Sequence, residues 1–393
     1  MCVLNRAPRS LPVVLAGFCS FVSLFLTQPI LPLLASIYGA SKATVSLTVT
    51  AATLGVALAA PFAGQIADRL GRKPVIVWSA GLLGVTTLLG ATSPDLHWLI
   101  FWRFLQGVVT PGVFAVTVAY INDEWPAERV GAAAGAYVSG TVVGGFSGRA
   151  ISGLAAEFVS WRVAFVVAGL ISIAIAFTLA KTLPPERRFI PGTHSSLLRP
   201  ALAHLRNPQL MATYSAGFCV LFTILALFTY ATFHLAAPPY SLSPAQLGAI
   251  YTVYLAGAAI TPLAGRATDR YGHRNTILIA VGIGMAGALV SLIPSVWAVL
   301  IGLTLGSTSV FVSQSAAVSY IGTVASDARA LAVGIYVTFY YVGGSVGSTG
   351  PAWIWEAWKW PGCVALILCT QMILASIVWF AWAPRLRANV PLQ

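Results

Sequence analysis

Long apolar runs, each closed by a short cluster of polar residues, recur along the whole chain. About 20 apolar residues in a helix cross the hydrocarbon of a bilayer while satisfying every backbone N–H and C=O internally. Twelve such runs are predicted, near Leu11–Ile37, Thr44–Ala67, Pro74–Thr92, Leu96–Ile121, Val130–Phe158, Trp161–Leu183, Gln209–Ala236, Ala245–Ala267, Thr276–Ile293, Ser295–Ile321, Ala330–Trp355 and Pro361–Ala383. Most connections are very short. The exception, Pro184–Pro208, is polar, basic and proline-bearing, and it separates two sets of six. The expected organisation is a six-helix bundle over residues 1–183, a linker over 184–208 and a second six-helix bundle over 209–393, an all-α membrane protein.

Composition excludes the main alternatives. Of 393 residues, 58% are apolar or aromatic and only 8% are charged. A water-exposed surface usually needs about a quarter charged residues, so a soluble multidomain protein is ruled out. The five cysteines (Cys2, Cys19, Cys219, Cys363, Cys369) are odd in number and scattered, which is not a disulfide framework. No Cys/His cluster has metal-ligand spacing. The first run follows Arg6 and Arg9, like the start of a signal peptide, but it is longer than such a segment's apolar region, so a retained helix is expected.

Charge then sets an orientation. With the N-terminus in the cytoplasm, 17 of the 22 Lys and Arg residues fall on that side and three, Lys42, Arg162 and Lys359, on the other; Arg103 and Arg149 lie inside spans. Cytoplasmic loops are enriched in such cations, so both termini are expected there. This asymmetry accounts for the net charge of +12 through lipid head groups, without nucleic acid.

The two halves repeat one another. Gly64-Gln-Ile-Ala-Asp68-Arg69-Leu-Gly71-Arg72-Lys73 returns as Gly265-Arg-Ala-Thr-Asp269-Arg270-Tyr-Gly272-His273-Arg274, at an offset of 201 shared by Pro61 and Pro262. Further along, at an offset of 199, Glu128 maps to Asp327, Gly135 to Gly334, Tyr137 to Tyr336, Gly144-Gly145 to Gly343-Gly344, Gly148 to Gly347 and Trp161 to Trp360. An ordered series of this kind points to parallel repeats, with a substrate path at their interface.

On these motifs the chain resembles the major facilitator superfamily along essentially its whole length. The doubled Gly64…Lys73 segment is similar to that superfamily's signature loop. Arg103-Phe-Leu-Gln106-Gly107 and Gln28-Pro29-Ile-Leu-Pro32 resemble elements of its drug–proton antiporter branch, and with Gly-Gly-Phe-Ser-Gly148-Arg149 they look most like acriflavine-resistance and arabinose-efflux permeases. The fifth span departs from that branch, because Gly144 is followed by Gly145 and no proline occurs between Val130 and Phe158. The resemblance implies twelve helices in two pseudo-symmetric bundles, alternating access, export driven by a proton gradient and no cofactor.

The residues permit more than one chemistry. Gly64, Asp68, Arg69, Gly71, Arg72 and Lys73, with Asp269, Arg270, Gly272 and Arg274, read either as a plain positive-inside turn or as a gate in which the cations pair with Asp123, Glu124 or Glu128. Arg103 either reaches a cavity or caps carbonyls of a neighbouring helix; a charge at that depth costs at least about 2.5 kcal/mol, so it does not face lipid. Arg149 maps to Ser348 and thus breaks the repeat; it is a substrate or coupling residue, or a helix tie. Gln28, Gln106, Gln314, Tyr336 and Tyr340 are further cavity candidates, each equally readable as packing. All ten acids fall in loops or near span ends, so proton coupling would have to use Asp123, Glu124, Glu157 or His234. Two buried cations without a buried anion favour neutral or anionic solutes over cationic dyes. The expected protein is a monomeric inner-membrane transporter exporting small amphipathic or sugar-like molecules, with a facilitator or proton-coupled carrier of a neutral or anionic metabolite as the alternative. Neither a nucleotide-binding Gly-x-x-x-x-Gly-Lys-Ser/Thr loop nor convergent catalytic groups are present to suggest a pump or an enzyme.

Overall fold

The computed structural model describes residues 10–186, 198–325 and 329–382. Arg6, Arg9, Arg187, Arg188, Asp327, Arg385 and Arg387, which enter the charge and repeat patterns, lie outside the described residues. Among the described residues the secondary structure is helical throughout and forms twelve spans in two pseudo-symmetric bundles.

Among the described residues nine helices are long and apolar enough to cross a membrane unaided; the glycine-rich span 5 is not one of them, and the stretch Ala264–Val290 is. Spans 2 to 4 are Lys42–Leu70, Arg72–Ala91 and Leu96–Glu124; spans 5 to 7 are Ala127–Phe158, Trp161–Thr182 and Pro208–Ala236; spans 10 and 11 are Val296–Val324 and Arg329–Thr349, and span 12 lies within Ala352–Ala381. Span 1 is broken into Leu11–Val22 and Leu31–Tyr38 around a turn at Gln28–Ile30. Its cause is local. Pro29 and Pro32 have no N–H to donate, so the backbone tightens to three-residue bonds, Gln28 N–H to Phe25 O at 3.1 Å and Ile30 N–H to Thr27 O at 3.2 Å. Span 8 is likewise divided, as Pro244–Ala249, a tight turn at Ile250–Thr252 and residues 253–271, before span 9 takes residues 273–290.

Polar residues between runs start the helices. Ser41 accepts from the Thr44 N–H at 3.1 Å, Asp95 from the Trp98 N–H at 3.0 Å and Asn207 from the Gln209 N–H at 3.0 Å, each covering a donor the first turn leaves free. On the face opposite Ser41 and Asp95, which is also that of Asn207, spans 2 and 3 meet at Gly71 (φ 89°) and spans 8 and 9 at Gly272 (φ 79°). A side chain is strained at such angles, so the doubled glycine is a requirement of the turn. We call the face bearing these loops the motif side and its opposite the far side.

One boundary differs from the sequence reading. Span 11 ends at Thr349, whereas the hydropathy pattern carried it to Trp355; a short helix over Ala352–Trp358 follows, and the break at Lys359 starts span 12 at residue 360, beside the expected Pro361. The Ala352–Trp355 stretch is apolar and reads as a continuation, but Gly350-Pro351 turns the chain, and a positive φ of 49° at Lys359 breaks the helix after Trp358.

The repeat reappears in packing. Gly140, Gly144 and Gly148 of span 5 lie directly on the carbonyls of Val14, Phe18 and Val22 in span 1, and Gly343 and Gly347 of span 11 lie on those of Phe218 and Phe222 in span 7. No Cβ fits at these positions, so small residues set the close approach of both helix pairs.

Candidate functional site

Between the bundles lies a cavity of about 470 Å³. Its wall is mainly aromatic and aliphatic, with Phe21, Phe114, Phe146, Tyr254, Phe311 and Tyr341 among its members, and it runs towards the motif side as far as Val318 and Val333. Of the residues expected there, Arg149, Gln314, Tyr336 and Tyr340 line it. Arg149 is the sole charged residue of that wall among the described residues.

Arg149 sits at the end away from the motif side, 4% exposed. Its Nε donates to Gln28 Oε1 at 3.0 Å and its Nη1 to the Gly145 carbonyl at 2.9 Å. The guanidinium carbon lies 4.5 Å from the ring centroid of Phe25, 4.7 Å from that of Tyr251 and 4.9 Å from that of Tyr254. Each ring face attracts a cation by roughly 0.5–2 kcal/mol, which offsets part of the cost of burying this charge. Gln28 also donates through Nε2 to Thr229 Oγ1 of span 7 at 3.3 Å. Phe25 and Gln28 belong to one bundle and Tyr251, Tyr254 and Thr229 to the other, so Arg149 ties the two together.

Beyond Arg149 the bundles touch on the far side at two places. In the first, Thr50 of span 2 bonds to Ser348 Oγ (2.6 Å) and Thr349 Oγ1 in span 11, and Thr53 to Ser345 Oγ (2.8 Å). In the second, Gly153 of span 5 lies against Gly248 of span 8, and Glu157 Oε2 accepts the Ala245 N–H at 3.3 Å. Lys42 adds a further tie, its Nζ lying 5.9 Å from the Phe233 ring and 5.8 Å from that of Trp355.

Gln28, Arg103 and Gln106 are not part of the cavity wall, which corrects the sequence expectation for them. Arg103 is wholly buried where span 1 breaks: it donates to the carbonyls of Ser23 (2.6 Å), Leu24 and Thr48 (3.0 Å) and to Gln106 Oε1. Gln106 passes the chain on through Nε2 to the Thr86 carbonyl at 3.2 Å. Arg103 thus caps main-chain carbonyls where span 1 tightens: Gln28 N–H turns to Phe25 O, which leaves the Leu24 carbonyl without its helical donor, and Ser23 shares its carbonyl with Leu26 N–H. Gly107 allows this packing, because span 4 there lies on the Ala52 carbonyl of span 2.

On the motif side Arg72 pairs with Asp123, donates to the Ala119 carbonyl at 2.8 Å and lies 3.9 Å from Asp68. Glu186 accepts the Lys73 N–H at 2.6 Å, a partner the sequence did not suggest. In the second loop His273 meets Ser319 Oγ at 3.1 Å and Arg274 lies over the Trp379 ring at 4.0 Å. Asp269 and Arg270 lie in the last helical turn of span 8, just before Gly272. Among the coupling candidates, Asp123 and Glu124 lie at the motif-side end of span 4, and Glu157 is on the far side. His234 stacks on Trp360 with centroids 5.3 Å apart, outside the cavity. Among the described residues no group of three His, Cys, Asp or Glu side chains is arranged to hold a metal.

The family model for the Major Facilitator Superfamily matches residues 13–240 and 223–393, nearly the whole chain. The chain belongs to the Major Facilitator Superfamily. Among relatives within it, the inner membrane transport protein YnfM of Escherichia coli (strain K12) is 32% identical, with 95% of this chain and 90% of that one covered. Among solved structures, the nucleoside transporter NupG has a TM-score of 0.78 at 12% identity, covering 95% of this chain and 100% of its own, and the D-xylose-proton symporter has 0.78 at 14%, covering 95% and 97%. The protein is therefore a multi-pass membrane transporter. For a superfamily member, the residues that sequence reasoning missed are Tyr251, Tyr254 and Thr229. Each sits in an apolar span with no charge nearby, and only Arg149 and Gln28 opposite them give them a role.

Proposed function

We propose that this superfamily member exports small amphipathic molecules, neutral or anionic, by alternating access driven by inward proton flow. The motif side is the cytoplasmic side in this reading, both termini lie there, and the protein works as a monomer in the inner membrane without a cofactor. A single observation carries the substrate class: the cavity is apolar and aromatic, and its charged residue is an arginine with no acid beside it among the described residues. Solutes with a large apolar surface suit such a wall, and a permanent cation would face Arg149 unscreened. The present arrangement, with the cavity running to the motif side and the bundles joined on the far side, is the loading state of an exporter. Efflux and the antiporter branch rest on the resemblance of Gln28-Pro29-Ile-Leu-Pro32 and Arg103-Phe-Leu-Gln106-Gly107. Sugar-like solutes and an uncoupled or proton-coupled metabolite carrier are the second reading, favoured by the hydroxyls of Tyr336, Tyr340 and Gln314's amide on the cavity wall. Solute flux in proteoliposomes with and without an imposed pH gradient decides the drive. Acceleration by the gradient is expected; flux indifferent to it removes proton coupling.

A further inference from the structure

The far-side contact of spans 5 and 8 carries a charge that the equivalent contact of spans 2 and 11 does not. At an offset of 199 Arg149 corresponds to Ser348, and at 201 Tyr251 and Tyr254 correspond to Thr50 and Thr53. The same positions of the repeat therefore face one another twice, once as hydroxyl to hydroxyl and once as guanidinium to ring.

We infer that Arg149 is the residue through which an acidic solute opens the far side. Resting on the proposed transport role, this assigns the substrate a carboxylate or sulfonate attached to an apolar body. Arg149 borders the cavity yet holds Gln28 at 3.0 Å and three rings within 5 Å, and Gln28 in turn holds Thr229 across the bundle interface. All of these partners are neutral. A carboxylate in the cavity offers the planar fork a charged, two-pronged acceptor, which is the stronger partner for arginine. Turning towards it withdraws the guanidinium from Tyr251, Tyr254 and Gln28, and so dissolves the contacts that join spans 1 and 5 to spans 7 and 8. The solute's charge is then matched in the state that releases it, and a neutral analogue lacks that differential interaction.

Labelling of a buried reporter tests this. Thr53 is fully buried in the hydroxyl contact and absent from the cavity wall, so Thr53→Cys, in a chain whose native cysteines are replaced, reacts with a maleimide only when the far side parts. The probes are 1-naphthylacetate and 1-naphthylacetamide, alike in size and different in charge. The acid is expected to raise the labelling rate of the otherwise wild-type protein about tenfold and the amide to leave it unchanged, a shift of the size one charged contact supplies. With Arg149→Ser the rate should be high without any probe and indifferent to both; Arg149→Lys should restore closure in part. Equal responses to acid and amide, no response to either, or an unaltered rate in Arg149→Ser, each overturns the inference. Flux in proteoliposomes is read separately: charge-blind labelling with intact flux removes this role of Arg149 alone, whereas absence of flux removes the transport reading.

Discussion

Besides the tie of Lys42 to Phe233 and Trp355, the far side holds two contacts that occupy equivalent places in the two repeats. Between spans 2 and 11 the closure is a cluster of hydroxyls, Thr50 and Thr53 against Ser345, Ser348 and Thr349. Between spans 5 and 8 it is Arg149 among Tyr251, Tyr254 and Phe25, with the glycine pair Gly153 and Gly248 beyond. Duplication supplied one backbone plan, and the side chains then diverged. A hydroxyl cluster in an apolar setting parts and re-forms with little change in charge solvation, and individual hydrogen bonds of this kind contribute only about 0.6 kcal/mol. A buried guanidinium is different: wherever it moves, something must replace the partners it leaves. On the proposed role of Arg149, one contact is a passive hinge and the other answers to whatever enters the cavity.

Arg103 supplies the control for that contrast and the largest expected effect. Its partners are main-chain carbonyls of spans 1 and 2, which no solute can displace. Arg103→Ala should lose roughly 3–5 kcal/mol of stability, the usual cost of breaking a buried charged network. Thermal unfolding of the purified protein checks it; an unchanged midpoint would return Arg103 to the list of movable residues. Next comes Ser348→Arg, which places a second guanidinium opposite Thr50 and Thr53, in a contact built of hydroxyls. A cost of about 2.5–3.5 kcal/mol is expected, together with failure of the far side to close, read as fast maleimide labelling at Thr53→Cys. Slow labelling would mean that the hydroxyl contact tolerates charge and that the two closures are interchangeable. Thr50→Val should cost about 1 kcal/mol and raise turnover modestly by loosening the hinge, without altering solute preference. A changed preference would give the hydroxyl contact a share in recognition. Smallest is Glu157→Gln, which keeps an acceptor for the Ala245 N–H but removes the titratable group on the far side. A shifted pH profile of exchange with unchanged stability is expected, and superimposable pH profiles would remove Glu157 from proton coupling.

Much of the fold was legible because membrane spans announce themselves by length and hydropathy, and because the repeat fixes their number. The spans beginning at Lys42, Arg72 and Leu96 needed nothing else. The end of span 11 was hidden because Ala352–Trp355 is as apolar as a span interior, so nothing in its hydropathy marks the turn at Gly350-Pro351. The cavity was legible in part. Arg149 stood out because it breaks a symmetry the surrounding glycines keep, and Gln314, Tyr336 and Tyr340 followed from polarity within apolar runs. Arg103 was ambiguous for a physical reason: a buried cation looks the same in sequence whether carbonyls or a solute satisfy it, and the deciding carbonyls of Ser23 and Leu24 lie at a break in another span. Tyr251 and Tyr254 were illegible because an aromatic residue in a span packs on lipid, on a neighbour or on a cation with the same spacing.

The central claim is that the two bundles rock about the cavity so that one side closes as the other opens. Spin labels at Ser41 and Ser241, exposed on the far side of each bundle, and at Leu70 and Tyr271, exposed on the motif side, report both ends of that motion. With 1-naphthylacetate present, the distance between the first pair should lengthen while that between the second shortens. Two distances that stay fixed, or that change in the same direction, contradict the account.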